Sequence, residues 1–229
     1  DGAERLLDLG TKGSGQTPYS RFGDGRLTLK GAVRELLATE MLEALGVETS
    51  RTFSIIETGE ALHRGDEPSP TRSAVLVRLN HGHIRVGSFQ RLAHIGDATA
   101  MDRLLRYCLV TYTGLEPDEA ASIEADAAAA RLIAFTATRC ARMAASFMVA
   151  GFVHGVLNSD NINITGESFD YGPWRFTPQW DPAFVAAYFD HQALYAFGRQ
   201  PQVIHWDVGQ LAVSLRLLCP SEPLIAALE

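Results

Sequence analysis

Apolar positions recur along this chain with two different periods, and the change between them divides it. Residues 6–11 form a short apolar stretch ending in Gly and Lys, which reads as a strand. Residues 12–25 follow with Gly13, Gly15, Gly23, Gly25 and Pro18, the chemistry of a loop. Val33, Leu37, Met41 and Ala44 then fall at helical spacing, predicting a helix over residues 29–45 with Gly46 as its C-terminal cap. Residues 52–57 and 73–79 are enriched in β-branched and apolar side chains and predict two strands. Residues 63–72, with Gly, Pro and mixed charge, read as a surface loop between them. Beyond this the pattern turns helical: residues 101–112 and 118–150 read as helices, with a division of the second into two pieces left open. A compact polar stretch occupies 154–174, and the chain from 194 onward returns to helix and loop. Strands early and helices late predict an α+β protein of two lobes, with the boundary between residues 80 and 100.

Composition sharpens this only a little. The 229 residues suffice for a sizeable core, and 46% hydrophobic with 21% charged residues is an ordinary globular balance. A net charge of −7 argues against nucleic acid as the main partner. Cys108, Cys140 and Cys219 stand far apart, which excludes a zinc ribbon and points to a reducing, cytoplasmic setting. The most apolar run, residues 143–153, is too short to cross a bilayer, and Arg131, Arg139 and Arg142 precede it or lie at its edge, so no membrane is expected. The first residue is not Met, and the last residues stop within what reads as another helix. A fragment of a longer chain is the expectation.

The densest chemistry lies in His154-Gly155-Val156-Leu157-Asn158-Ser159-Asp160-Asn161, followed by Asp170-Tyr171-Gly172. Magnesium takes hard oxygen ligands and keeps several waters, so an amide and a carboxylate suffice to hold it beside a phosphate. Asn161 and Asp170 are such a pair, separated by an apolar piece, residues 162–164, that reads as a short strand. Protein kinases use the same two residue types, and Asn161 follows His154 at the kinase spacing. Where a kinase has its catalytic Asp, however, this chain has Val156. Asp160 is then the candidate proton acceptor by elimination. The competing reading is that Asn158, Asp160 and Asn161 are turn formers that cap local backbone, and only the spaced Asp-Tyr-Gly tips the balance. Lys12, placed after a strand and before Gly13-Ser14-Gly15, offers a point charge to a phosphate. Asp24-Gly25-Arg26 closes the Gly-rich stretch, and Arg78 and Arg85 flank an Asn-His-Gly-His turn. Each of these alone is as readily a surface side chain or a turn. His81 and His83 lack a further metal ligand at suitable spacing, and Trp174, Trp180 and Trp206 read as packing residues.

Together these segments resemble the selenoprotein O family. The resemblance rests on five motifs in order: the run from Lys12 to Arg26; Val77-Arg78 with Ile84-Arg85-Val86-Gly87; His154 to Asn161; Asp170-Tyr171-Gly172-Pro173; and Asp190-His191-Gln192 with Tyr195 to Pro201. It implies a protein-kinase-like fold with a partial β-rich N-lobe over residues 1–90 and a helical C-lobe over 91–229. It also implies ATP bound in reverse, so that AMP passes to Ser, Thr or Tyr hydroxyls of proteins and pyrophosphate leaves. By the same resemblance Lys12 holds phosphates and pairs with Glu35, Asp24 and Gly25 contact the nucleotide, and Arg78 and Arg85 grip phosphates. Asp160 accepts the proton, and Asn161 and Asp170 bind Mg2+ or Mn2+. Helical periodicity alone favours Glu40 over Glu35 as the partner of Lys12, because Glu40 lies within the 33–37–44 stripe. The rival functions are an ordinary kinase-like phosphotransferase and a non-catalytic nucleotide-binding scaffold. Two parts of the family pattern lie outside the chain: the Gly-rich segment upstream of Lys12 and the C-terminal portion.

Overall fold

The computed structural model describes residues 6–20, 23–65 and 67–228. The expected loop over residues 12–25 therefore lies partly outside them, at positions 21 and 22. The chain folds as an α+β protein. The first part is an antiparallel sheet built around β4 (Thr71–Asn80). β1 (Asp8–Lys12) and the two-residue β2 (Leu27–Thr28) pair along one side of it, and β3 (Arg51–Leu62) pairs along the other. The observed strands are longer than the expected ones, because β-branched enrichment marks only the interior of a paired strand. β3 also absorbs irregularities at Thr52/Ser54 and Glu57/Ala61.

Helix α1 (Leu29–Ala44) lies across this sheet. Thr28 caps its start, accepting from Gly31 N at 3.1 Å. It ends in a Schellman-type turn, with Val47 N donating to Leu42 O and Gly46 at φ 77°. The buried face, however, is not the expected one. Val33, Leu37 and Met41 are 40%, 50% and 43% exposed, whereas Ala32, Glu35, Ala38, Thr39 and Leu42 are buried. The close approach of helix to sheet selects small side chains, so the most hydrophobic stripe is not the packed one. Ala32 packs with Ala74 and Leu76 in a small core of its own.

The second part is helical: α2 (Val86–Ile95), α3 (Ala98–Thr113), α4 (Pro117–Ser122), α5 (Ala125–Ala150), α6 (Gln200–Leu215) and α7 (Ser221–Ala226). The helix expected over 118–150 is indeed two pieces, broken where Ile123 and Glu124 adopt extended backbone. α5 is long and apolar enough by composition to cross a membrane. In this fold it is a core helix, packing against α3, α6 and α7. Its residues Leu132, Ile133, Cys140 and Phe147 sit in the large core, which also takes in Ala38, Leu42 and Val47 from the first part. Between α5 and α6 runs the polar stretch, framed by a minimal hairpin of β5 (Phe152–Val153) and β6 (Arg175–Phe176). Residues 162–164, expected as a strand, make only one isolated bridge, Asn163 to Arg85. Their apolar side chains are there to fill the core: Ile162 and Ile164 are fully buried.

Candidate active site

The register of β1 on β4 brings the first two cations together. Lys12 lies opposite Leu76, and Gly10 opposite Arg78. Because side chains alternate faces along a strand, Lys12, Leu76 and Arg78 share the face on which α1 packs. Glu35 lies one turn beyond Ala32 on the buried stripe of α1, and Lys12 Nζ forms an ion pair with its Oε1. Glu40, the partner that periodicity favours, is exposed. Lys12 Nζ also donates to Asp170 Oδ1 at 2.5 Å, and Arg78 Nη1 reaches the same oxygen at 3.1 Å. One ammonium and one guanidinium thus bridge a helix, a sheet and the loop that carries Asp170.

The electrostatics follow from how these charges are shared. Burial works against the Lys12 ammonium, yet the Asp170 and Glu35 carboxylates outweigh it and hold its pKa above the ordinary lysine value. Burial would likewise raise Asp170, but Lys12 and Arg78 overcome it and hold that carboxyl well below the usual range. Glu35, only 3% exposed and repelled by Asp170, goes the other way: burial raises its pKa despite Lys12. Asp170 also has a left-handed backbone, φ 66°, which Asp tolerates better than most residues and which aims its side chain into this cluster.

A second layer holds the catalytic-loop candidates. His154 is buried and its Nε2 bonds to Phe169 O at 2.9 Å, tying the loop's start to the residue before Asp170. Burial lowers the His154 pKa and favours the neutral ring, with the proton on Nε2 donated to Phe169 O and Nδ1 left to accept from Val156 N at 3.4 Å. Gln200, fully buried at the start of α6, accepts from His154 N at 3.0 Å and donates to Phe152 O at 2.8 Å. Asn161 Nδ2 donates to Val156 O at 2.8 Å, which leaves Oδ1 as its ligand atom. From the other side, the first amides of α2 clamp the loop: Val86 N donates to Ile162 O and Gly87 N to Ser159 O, at 3.0 and 2.9 Å. A Cβ at position 87 would meet Asp160 Oδ1, so any larger residue there would displace that carboxylate. Arg85, just before α2, stacks its guanidinium on the Phe169 ring at 4.9 Å, as Arg78 does at 5.1 Å. Burial lowers the Arg85 pKa, while the field of Asp170 and, more weakly, those of Asp160 and Glu35 sustain its charge.

Lys12, Glu35, Arg78, Arg85, Asp160 and Asp170 therefore occupy one electrostatic neighbourhood, and the backbone bonds of the loop carry Asn161 beside Asp160. Asp24 and Gly25 do not join it. Asp24 is paired with Arg64 at 2.9 Å and accepts from Arg26 N, and Gly25 O receives Gly15 N to close the loop. No contact of these two among the described residues reaches the cluster. Sequence reasoning missed α2, Phe169 and Gln200. The helix has a usable signal in Val86, Phe89 and Ala93 at i, i+3 and i+7, with Gly96 as its cap. Gln200 has none, since nothing local marks a glutamine that reaches a strand about fifty residues away.

The donor set suits a hard cation. Asn161 and Asp170 offer an amide and a carboxylate oxygen, and no group of three or more His, Cys, Asp or Glu capable of holding a metal occurs among the described residues. Two protein oxygens are what magnesium needs when waters and phosphates complete its shell, and they fit. For an anionic ligand there is a buried donor in waiting: Arg78 Nε has no hydrogen-bond partner among the described residues.

A buried cluster of paired cations and carboxylates, joining a β-strand lysine to an Asp-Tyr-Gly turn, is chemically suited to a phosphate-bearing ligand. A family model described as "Protein adenylyltransferase SelO" matches residues 1–229, and the chain belongs to that family. It is similar to the protein nucleotidyltransferase YdiU of Synechocystis sp., 52% identical over 224 residues that cover 98% of this chain and 46% of that protein. The YdiU protein of Gloeobacter violaceus is 51% identical over 226 residues, covering 97% and 45%. That of Marinomonas sp. is 39% identical over 224 residues, covering 98% and 46%. The chain thus spans about half the length of the curated relatives it matches.

Proposed function

We propose that this chain is the nucleotide-binding and catalytic part of a protein adenylyltransferase that moves AMP from ATP to Ser, Thr or Tyr hydroxyls of other proteins. Its architecture, in this reading, is kinase-like and two-lobed, with residues 1–90 and 91–229 on either side of the nucleotide. The observation that carries the reading is the sharing of Asp170 by Lys12 and Arg78, with Glu35 behind Lys12 and Arg85 beside it. Three cations converge where a polyphosphate's charge needs neutralising, and two of them rest on one aromatic ring that fixes their spacing.

Asp160 accepts the proton of the acceptor hydroxyl as its oxygen attacks the α-phosphorus. The bond from that phosphorus to the α–β bridging oxygen breaks, and pyrophosphate leaves with the electron pair. Lys12, Arg78 and Arg85 hold the phosphates, with Lys12 kept in place by Glu35 when Asp170 turns to the cation. Asp24 and Gly25 would contact the nucleotide from the Gly-rich loop. Asn161 and Asp170 would hold Mg2+ or Mn2+, which supplies further charge neutralisation and orients the phosphate oxygens. Positioning and electrostatics of this kind account for most of the rate in such transfers.

The test is the full-length protein incubated with ATP labelled on the α- or the γ-phosphate. We expect α-label on protein, stable after removal of free nucleotide, and its loss by roughly 100-fold or more in Asp170→Ala. Label from the γ-position without label from the α-position would replace this reading with a phosphotransferase.

A further inference from the structure

One motif of the sequence, Asp190-His191-Gln192 with Tyr195 to Pro201, takes no part in the cluster around Asp170. It builds a groove instead. On one side stand Leu157, Asn158 and Ser159, the three residues before Asp160. On the other stand Leu194, Tyr195, Arg199, Val203 and Trp206, around a cavity of about 450 Å³. The far wall is rigidly made. The Asp190 carboxylate accepts Leu194 N and Tyr195 N, each at 2.8 Å, and Phe197 N and Gly198 N bond to Phe184 O and Pro182 O, both at 2.9 Å. Buried Gln200 anchors the start of α6 to Phe152 and His154. Such a wall leaves Trp206 59% and Leu194 44% exposed without being floppy. Trp206, expected as a packing residue, is offered to solvent instead.

Resting on the adenylyltransferase reading above, we infer that this groove receives the acceptor protein. It takes an extended segment that places a large apolar side chain against Leu157, Val203 and Trp206 and an acidic residue against Arg199. Two observations select this occupant. The groove is continuous with the catalytic loop, because its near wall ends at the residue before Asp160. A chain lying in it runs from the apolar wall to Asp160, where its hydroxyl residue would sit. Second, Arg199 is the charged residue in the lining and makes no ion pair among the described residues, its Nη1 reaching Ala193 O at 3.4 Å, although the chain as a whole carries −7. That local sign is complementary to an acidic side chain and sets orientation more than affinity.

The experiment uses the full-length protein, α-labelled ATP and a position-scanning peptide library built around a central Ser. The expected result is selection for Phe, Leu, Ile or Met at one position and for Asp or Glu at a neighbouring one. Arg199→Glu then turns the second preference towards Lys or Arg, and Trp206→Ala raises KM for the preferred peptide about tenfold with kcat and affinity for a non-hydrolysable ATP analogue within about twofold. If transfer persists and Arg199→Glu leaves the selection profile as in the parent, the groove is not the docking site, while AMP transfer stands. Hydrogen exchange on the same protein with and without a Ser peptide carrying one Phe and one Glu, fixed in advance from the groove's lining, is read independently of chemistry. New protection at residues 194–206 supports the docking site even if no label moves, which would sink only the AMP reading. Protection there without peptide means that another part of the chain or a second copy covers the groove, and overturns the proposal.

Discussion

At the scale of single residues, the site turns on one ammonium held between two carboxylates of opposite tendency. Glu35 sits too deep to solvate itself and depends chiefly on Lys12, since Arg78 stands 3.9 Å from it but only 3.1 Å from Asp170. Glu35→Gln therefore frees Lys12 to collapse fully onto Asp170, and nucleotide affinity and AMP transfer are expected to fall roughly 10- to 100-fold. Glu40→Gln, on the exposed side, should change neither; equal losses in the two variants would show that the buried pairing is not what orients Lys12. The same pairs give stability a pH dependence of known sign. Asp170 has a depressed pKa, so its contribution is present above the ordinary aspartate range and is lost as pH falls below it. Lys12, raised, contributes fully below the ordinary lysine value and less as pH climbs past it. Asp207 behaves oppositely to Asp170. It is fully buried in α6, neither carboxylate oxygen has a partner among the described residues, and burial pushes its pKa up to about 7. Between the ordinary aspartate value and about 7, the folded chain keeps a proton that the unfolded chain has released. Stability falls as pH rises through that window. Asp207→Asn removes this cost, and urea titrations should find the variant more stable than the parent by on the order of 2 kcal/mol at about pH 8, and equal to it near pH 4. A parent that is no less stable at the higher pH would mean that a partner satisfies the carboxylate.

Elements tell where sequence reasoning succeeds and where it stops. β1, β3 and β4, α1 with its cap, the split helix and the polar loop between α5 and α6 were legible, because each follows from local periodicity or from turn residues; the two-residue strands β2, β5 and β6 were not, and residues 162–164 were misread as a strand. The inward face of α1 was not. Apolar periodicity points to Val33, Leu37 and Met41, but a helix lying close on a sheet needs alanines there, and it can bury Glu35 only because Lys12 and Arg78 wait opposite. That compensation lies in another element and leaves no local trace. The site was legible to the same degree: residue types and spacing picked out Asn161 and Asp170, and the resemblance supplied Glu35. The clamp of α2 on Ser159 and Ile162 and the brace from Gln200 depend on tertiary contacts alone. The face assignment is testable by unfolding. Leu37→Gln or Met41→Lys should change stability by no more than about 0.5 kcal/mol, whereas Leu42→Ala should cost roughly 2–5 kcal/mol. Gln200→Ala strands two buried backbone groups, and a loss of roughly 2–4 kcal/mol is expected; a loss below 0.5 kcal/mol would remove Gln200 as the brace of the catalytic loop.

Across the whole molecule the stabilising material is unevenly divided. The large core draws on α1, α2, α3, α5 and α6, while the sheet shares with α1 a small core of three buried residues, Ala32, Ala74 and Leu76. What fastens the sheet and α1 to the polar loop between α5 and α6 is a set of polar contacts. Ser50 N bonds to Ser168 O and Ser168 N to Glu48 O, both at 2.9 Å; Arg34 stacks on Trp174 and exchanges bonds with it; Lys12 and Arg78 meet Asp170. Polar seams of this kind net little free energy per bond, so β1, β2 and the outer part of β3 should open at a lower free energy than α3 and α5. The Lys12–Asp170 contact is also the one that a nucleotide and its cation would replace. Ligand therefore acts on the weakest seam, and binding to the closed state alone stabilises it in proportion to the logarithm of ligand concentration over Kd. Native-state hydrogen exchange should find β1 and β4 exchanging well before α5 in the free protein. Addition of Mg2+ with a non-hydrolysable ATP analogue should slow exchange in β1, β4 and residues 154–170 by roughly 100-fold at a hundredfold excess over Kd, and α5, which opens only with the whole molecule, by up to the same factor. Equal exchange of β1 and α5 in the free protein would mean that the molecule opens as one unit, and no slowing at β1 and β4 on adding ligand would mean that nucleotide does not bind across this seam.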